Sequence, residues 1–220
     1  MALCVVFFFA TSVNAQKTKA FQGTITYDIT YTGANITPAE KAQLPTTSTV
    51  TVKDCKTKTE MVTGPVTQAA ITDGATKTET VLIDYMGTKY ALKLSVTDIA
   101  EGMAKVNLPK VELTTDTKVI AGFTCKKAIL TTVLEDSSMI KDTIYYTEEI
   151  GCSDLNFSST FKDVPGAILE YTEYIAQMEA TSVYVAKEVK KGKISDNVFL
   201  IPSDYQEVTK EEFKKAFGGE

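Results

Sequence analysis

The sequence predicts a mainly β (α+β) fold, in which a curved antiparallel sheet or half-open β-barrel carries two or three short helices. Three observations support this expectation: apolar and polar residues alternate along several segments, two segments have the pattern of a β-hairpin, and helix signals are few and short. The chain has 220 residues, of which 44% are hydrophobic, and one β domain can reach this length. We therefore expect a single β-rich domain over 16–220.

The first predicted strand is the segment FQGTITYDITYTG, which begins at Phe21. Its apolar positions, with one glycine among them, recur at every second residue and would share one face: Phe21, Gly23, Ile25, Tyr27, Ile29 and Tyr31. The positions between them hold Gln, Thr and Asp. Alternation of this kind is typical of an antiparallel strand with one face buried and the other in water.

The segment VLIDYMGTKYALKLSV has the pattern of a hairpin. A two-residue turn at Met86-Gly87 would pair Ile83 with Tyr90 and Val81 with Leu92. Both strands then place their apolar residues on the same face, and this agreement favours the register.

A second hairpin is predicted in CKKAILTTVLEDSSMIKDTIYYT. A turn over 135–138 would pair Val133 with Ile140 and Ile129 with Ile144. In this register Ile129 and Ile144 would face the same side of the sheet.

Further strands are predicted at 48–62, 118–121, 166–175, 180–189 and 196–201. In 48–62 the apolar phase slips, and a β-bulge near Lys53-Asp54 would account for the slip. The last two strands would be joined by a turn at Gly192. The total is about ten strands.

Three segments have helix signals. The first begins with Thr37 as the N-cap, followed by Pro and by Glu40, which would close a capping box. The C-terminal segment has the same box, formed by Thr209 and Glu212. Between them, the segment from 96 to 106 places apolar residues on one helical face.

Several residue types that carry chemistry are missing. The chain has no His and no Arg, so all 23 basic residues are Lys. His is the commonest general acid/base and metal ligand, and Arg grips phosphate groups bidentately. Together with the net charge of −5, this argues against nucleic-acid binding, a cofactor, a metal site or an enzyme. The adjacent Glu148 and Glu149 would point to opposite faces of a strand rather than act as a pair.

The first fifteen residues, MALCVVFFFATSVNA, have the pattern of a signal peptide. An apolar run is followed by small residues, and cleavage is predicted after Ala15, which implies a periplasmic or cell-envelope protein. A buried N-terminal strand is the alternative.

Three cysteines follow the predicted cleavage site: Cys55, Cys125 and Cys152. Disulfides persist in the oxidising compartment that export would provide, and an odd number leaves at least one thiol free or paired between chains. Of the possible pairs we favour Cys125–Cys152, for which the spacing itself gives no geometric reason. A catalytic thiol normally has a His partner, so we expect structural roles for all three.

A sharp corner is predicted in FKDVPGAILEY, because Pro165 and Gly166 suit the two central positions of a type II turn. Together with KVIAGFTCKKA at 118–128 and IYYTEEI at 144–150, this segment resembles the GLPGLI family of exported proteins of unknown function. VPGAIL echoes the motif for which that family is named, with Val164 and Ala167 where the family has Leu. The segment from Gly122 to Ala128 and the tail FLIPSDYQEVTKEEF are also similar to neighbouring groups of exported domains.

The resemblance implies a fold similar to the outer-membrane lipoprotein carriers LolA and LolB, a half-open barrel with helices over its concave side. The resemblance does not imply catalytic residues in this chain. We therefore expect the chain to bind a hydrophobic ligand such as a lipid or the acyl chain of a lipoprotein. The candidate lining residues are Ile25, Tyr27, Ile29, Tyr31, Tyr90, Leu92, Leu94, Ile129 and Ile144.

Two alternatives stay open. The same apolar stripes are also what a closed core requires, with no space for a ligand. The protein would otherwise be a non-catalytic structural or interaction module that binds a partner protein of the cell envelope, with edge strands as docking sites.

Overall fold

The computed structural model describes residues 20–33, 36–134 and 137–217. The predicted signal peptide, 1–15, lies outside the described residues. None of the helices in the described ranges is long and apolar enough to cross a membrane.

Within these described ranges, twelve strands form one continuous sheet. Along the chain they are β1 (Gln22–Thr32), β2 (Thr47–Lys53), β3 (Lys56–Thr63), β4 (Val66–Asp73), β5 (Thr78–Tyr85), β6 (Thr88–Leu94), β7 (Lys110–Ile120), β8 (Phe123–Val133), β9 (Met139–Thr147), β10 (Ala167–Ile175), β11 (Ala180–Lys191) and β12 (Gln206–Val208). Their order in the sheet is β12-β6-β5-β4-β3-β2-β1-β11-β10-β9-β8-β7. β12 runs parallel to β6, and the other neighbours are antiparallel.

The sheet is curved. It is also open, because within the described ranges β12 and β7 each have only one neighbouring strand. The part of the chain that the structure describes also contains three short α-helices: α1 (Pro38–Lys41), α2 (Val96–Met103) and α3 (Lys210–Phe217). Two 3-10 helices in the same part cover Ala176–Met178 and Asp196–Phe199. The mainly β fold with a curved, open sheet and few helices is therefore confirmed.

The predicted helix starts are confirmed in their hydrogen bonds. The hydroxyl of Thr37 accepts from the amide of Glu40, whose carboxylate accepts from the Thr37 amide in return. Thr209 and Glu212 form the same reciprocal box at α3. α2 begins with a third box, between Ser95 and Asp98, which satisfies amides that would otherwise lack a partner.

The predicted strand 48–62 is wrong, because a turn divides this segment into β2 and β3. Lys53 lies opposite Lys56, so the two strands are joined by Asp54 and Cys55 alone, and Asp54 has a positive φ of 56°. A two-residue turn shifts the apolar phase just as a bulge does, and alternation alone does not distinguish them.

The predicted strand 196–201 and the turn at Gly192 are also wrong. This segment contains the 3-10 helix Asp196–Phe199, and its apolar residues pack against one face of the sheet. Phe199, Ile201 and Tyr205 pack there on a cluster that includes Ala69 and Leu82. A short apolar run of this kind suits either a strand or a covering segment.

The two predicted hairpins have different outcomes. In the first, Ile83 pairs with Tyr90 and Val81 with Leu92, as predicted. In the second, Val133 pairs with Met139, and Ile144 lies opposite Ala128 rather than Ile129. The predicted register is therefore wrong by one residue, which reverses the face to which each side chain of one strand points.

The predicted disulfide Cys125–Cys152 is wrong. Cys152 is bonded to Cys55, with the two Cα atoms 5.2 Å apart. Cys125 is a free thiol with no exposed surface, packed in the core beside Phe123 and Ile120. The bond ties the β2–β3 turn to the segment that follows β9, two places 97 residues apart in the chain.

We expect Cys125 to resist alkylation in the folded protein. Burial raises the pKa of its thiol from 9.0 to about 11, which lowers the reactive thiolate fraction at neutral pH about a hundredfold. Iodoacetamide followed by peptide mapping should label Cys125 in denaturant and leave it unmodified in native buffer over the same time. Equal labelling in both conditions would show that the core around this thiol opens readily.

Candidate binding groove

One face of the sheet can be followed through the strand pairing. Ile25 of β1 pairs with Val50, and the same register continues across β3, β4 and β5 to β6 through Thr59, Ala70, Val81 and Leu92. We call this the inner face and the opposite one the outer face. The inner face therefore carries both the stripe predicted on β1 and the stripe predicted on β6.

The inner face is covered by helices and by one long connection. In α3, Phe217 lies edge-on to the ring of Tyr90, with ring centres 5.5 Å apart. An ion pair between Lys210 and Asp98 joins α3 to α2. The connection over residues 150–166, which we call the cover segment, lies against β1, β2 and β10 through Leu155 and Phe161.

The cover segment is held at its ends. Near its start, the Cys152 carbonyl accepts a hydrogen bond from the Gly166 amide at 3.1 Å. The side-chain amide of Asn156 donates to the carbonyls of Val164 and Gly166, each at 2.8 Å. Gly166 has a φ of +73°, a conformation that favours glycine, and the amide of Ala167 donates to the Ile150 carbonyl at 3.1 Å rather than to Val164. The chain passes from the cover segment into β10 at this glycine.

A deep cavity of about 210 Å³ lies between the inner face and the cover segment. Most of its wall is apolar and includes Ile25, Tyr27, Val50, Val52, Leu155 and Ile168. The hydroxyls of Thr57 and Thr72, which also line it, hydrogen-bond each other at 2.6 Å. The wall therefore offers a ligand mainly apolar contact.

A second, more open cavity of about 480 Å³ lies at the β8–β9–β10 side. Its wall includes Leu130, Thr132, Asp142, Ile144, Tyr174 and Ile175. Phe161 and Glu173 line both cavities and so stand where the two adjoin. We call the two cavities together the groove.

Aromatic rings give the groove a defined wall. Tyr171 stacks on Tyr184 with ring centres 4.5 Å apart, and it meets Tyr27 and Phe161 edge-on at 6.1 Å and 5.5 Å. The hydroxyl of Tyr27 donates to the Ile168 carbonyl at 2.7 Å. Burial raises the pKa of Tyr27 and of Tyr171, and it raises that of Tyr184 to about 12. These hydroxyls are therefore uncharged at neutral pH and serve as fixed polar edges.

The groove carries negative charge. Glu173 and Asp142 are its charged lining residues, and within the described part of the chain no lysine lines either cavity. Desolvation by the surrounding walls raises the pKa of Glu173, and a hydrogen bond with the Tyr184 hydroxyl opposes the rise. Glu173 is nevertheless open to the solvent in the groove.

The structure separates the nine predicted lining residues into three groups. Ile25 and Tyr27 line the deep cavity, and Ile144 lines the open one. Five others lie on the inner face outside these two cavities: Ile29, Tyr31, Tyr90, Leu92 and Leu94. Ile129 lies on the other face from Ile144, because of the register of β8 with β9.

The residues that line both cavities were not predicted from the sequence. Every second residue of β10 faces the same side, and these residues are Leu169, Tyr171, Glu173 and Ile175. The carboxylate of Glu173 therefore interrupts an otherwise apolar stripe. This interruption was a usable signal. The position of Phe161 had no such signal, because it lies in an irregular connection.

A larger cleft, of about 760 Å³, lies outside the groove. Its wall mixes both signs of charge, with Lys53, Lys191 and Lys193 beside Glu148 and Glu149. No group of three or more Cys, Asp or Glu side chains suited to a metal ion occurs among the described residues. Apolar walls with few polar groups are typical of small-molecule sites. The deep cavity has such a wall, and so does a cavity of about 370 Å³ between α2 and the cover segment. We take the groove as the candidate site because the predicted lining residues Ile25, Tyr27 and Ile144 lie in its walls.

Comparison of the chain with protein-family models and with curated proteins finds no match to either. The resemblance to the GLPGLI family and to lipoprotein carriers therefore stays a prediction.

Proposed function

We propose that this protein binds a hydrophobic ligand, such as a lipid or the acyl chain of a lipoprotein, in the groove. The observation that carries the proposal is the pair of adjoining cavities beneath the cover segment, about 210 Å³ and 480 Å³ in volume. Ligand pockets commonly have volumes of roughly 300–1,000 Å³ and mainly apolar walls with a few polar groups. A fully closed core would leave no such space between the sheet and its cover.

The protein acts in the periplasm or cell envelope under this proposal. Its Cys55–Cys152 bond is of a kind that persists in oxidising compartments and is rare in the cytosol, which supports export. The proposed role is non-catalytic, and it is supported by the mostly apolar wall of the deep cavity, whose tyrosines Tyr27 and Tyr171 are uncharged at neutral pH.

Filling the open cavity tests the proposal. Thr132 lines this cavity, so Thr132→Trp should place an indole in the ligand's space and weaken binding of the neutral probe N-phenyl-1-naphthylamine about tenfold or more. The neighbouring Thr131 points to the other face of β8, and Thr131→Trp is the matched control. Fluorescence titration of the two variants and the unmodified protein measures the difference.

Probe binding that is equal in the two Trp variants would place the probe outside the open cavity. Absence of probe binding to the unmodified protein, together with lipid-free protein after gentle purification, would overturn the proposal. Native mass spectrometry detects such a resident lipid as an added mass that denaturation releases.

A protein-interaction module is the second candidate function. β7 is an 11-residue edge strand whose outward positions include Leu113 and Val119, and its free backbone groups suit an added strand from a partner. Under this proposal Val119→Lys would weaken capture of a partner protein from envelope extracts and leave probe binding in the groove unchanged. The groove variant Thr132→Trp would show the opposite pattern.

A further inference from the structure

The charge of the groove indicates what kind of ligand it fits. The chain contains 23 lysines, yet none of them lines either cavity in the described ranges, whereas Glu173 and Asp142 do. Neither carboxylate forms an ion pair within the described part of the chain. The groove therefore carries negative charge with no lysine among its described lining residues to balance it, and the wall of its deep cavity is mostly apolar.

Glu173 occupies the position where a ligand's polar group would lie. It lines both the deep and the open cavity, together with Phe161. Tyr171, two residues earlier on the same face of β10, presents an aromatic ring to the deep cavity. Its polar neighbour is the Tyr184 hydroxyl, which brings no positive charge.

We propose that the ligand of the groove is a cationic amphiphile, whose ammonium group pairs with Glu173 while its apolar part fills the cavities. This inference rests on the proposed ligand-binding function and names the chemical class of the ligand. A carboxylate beside apolar walls is stabilised by an opposite charge, and an ammonium group also interacts favourably with aromatic rings such as those of Tyr171 and Phe161. A fatty-acid carboxylate in the same place would be repelled by both Glu173 and Asp142.

The electrostatics of Glu173 agree with this assignment. Desolvation raises the pKa of its carboxyl group, so the surrounding walls disfavour the ionised form when no cation is present. A bound ammonium group would favour the ionised form and return the pKa toward its ordinary value.

A matched series of ligands tests the inference. Dodecyltrimethylammonium, dodecanol and dodecanoate have the same chain and differ in the charge of the head group. Displacement of N-phenyl-1-naphthylamine at low ionic strength and below micelle formation ranks their affinities. We expect the cation to bind about tenfold or more tightly than the carboxylate, with the alcohol between them.

Glu173→Gln keeps the shape of the side chain and should remove most of this preference. The matched control is Glu170→Gln on the same strand, because Glu170 pairs with Lys118 and lines neither cavity. Asp142→Asn, at an exposed position, should reduce the preference by a smaller factor and gives a second variant if Glu173→Gln folds poorly.

The outcomes separate the inference from the proposed function. Equal affinity for the three ligands, or a preference that survives both Glu173→Gln and Asp142→Asn, would overturn the inference and leave hydrophobic binding intact. Tighter binding of dodecanoate would do the same. Failure of all three ligands and of the probe to bind to protein that is lipid-free after gentle purification would overturn both.

Discussion

Gly166→Ala is expected to destabilise the fold more than any other single glycine substitution at a turn of this sheet. A methyl group at Gly166 would lie 2.2 Å from the carbonyl oxygen of Thr147, which belongs to the backbone of β9 and moves only if the strand moves. The residue also has a positive φ of +73°. The two effects together should cost about 2–5 kcal/mol, from ~1–2 for the left-handed backbone and ~1–3 for overpacking.

Gly122→Ala is the matched control for this prediction. Gly122 has a similar φ of +84°, but a methyl group there would meet nothing within 4 Å. Its cost should be about 1–2 kcal/mol, from the backbone conformation alone. Urea unfolding followed by circular dichroism measures the free energy of unfolding of both variants. Equal losses in the two variants would show that the contact with Thr147 adds no cost to a methyl group at residue 166.

Loss of the Cys55–Cys152 bond is expected to have an effect of similar size. The bond joins residues 97 positions apart in the sequence. A cross-link that closes a loop of this length restricts the unfolded chain and so stabilises the folded state by about 3–5 kcal/mol. The double variant Cys55→Ser, Cys152→Ser should therefore unfold at a urea concentration lower by roughly 1–2 M.

Reduction provides the internal control for the disulfide. Dithiothreitol should lower the unfolding midpoint of the unmodified protein to that of the double variant, and it should leave the double variant unchanged. If the reductant affected both proteins alike, or neither, the stabilisation would have to come from something other than this bond.

Both predictions concern the cover segment and therefore the groove. Gly166 lies at its end and Cys152 near its start, while Leu155 and Phe161 between them cover the deep cavity. Ligand binding should stabilise the folded state by mass action, so a bound amphiphile should partly restore the stability of either variant.

Local interactions explain what the sequence predicted well. The stripe on β1 was predicted from the alternation of apolar and polar residues, and in the structure more buried and less buried side chains alternate from Gln22 to Ile29. The register of the first hairpin follows from its two-residue turn, where Met86 and Gly87 both have positive φ. The capping boxes at Thr37 and Thr209 join residues three apart, so a short stretch of sequence contains both partners.

Contacts between distant residues decided the rest. The loop of the second hairpin is longer than two residues, so its register depends on how Ile144 and Ala128 pack against the cover segment and not on turn geometry alone. The pairing of Cys55 with Cys152 requires the β2–β3 turn to lie beside the cover segment. The spacing of the cysteines in the sequence does not indicate that these two segments lie side by side.

The sequence by itself determined that the protein is a mainly β fold with an apolar inner face, because alternation is a local property of the chain. It also determined the chemistry that is missing, since no fold supplies a histidine or an arginine. Only the tertiary structure decided which apolar residues enclose space and which simply pack together. That outcome depends on where the cover segment crosses the sheet, and it places Glu173 and Phe161 at the junction of two cavities.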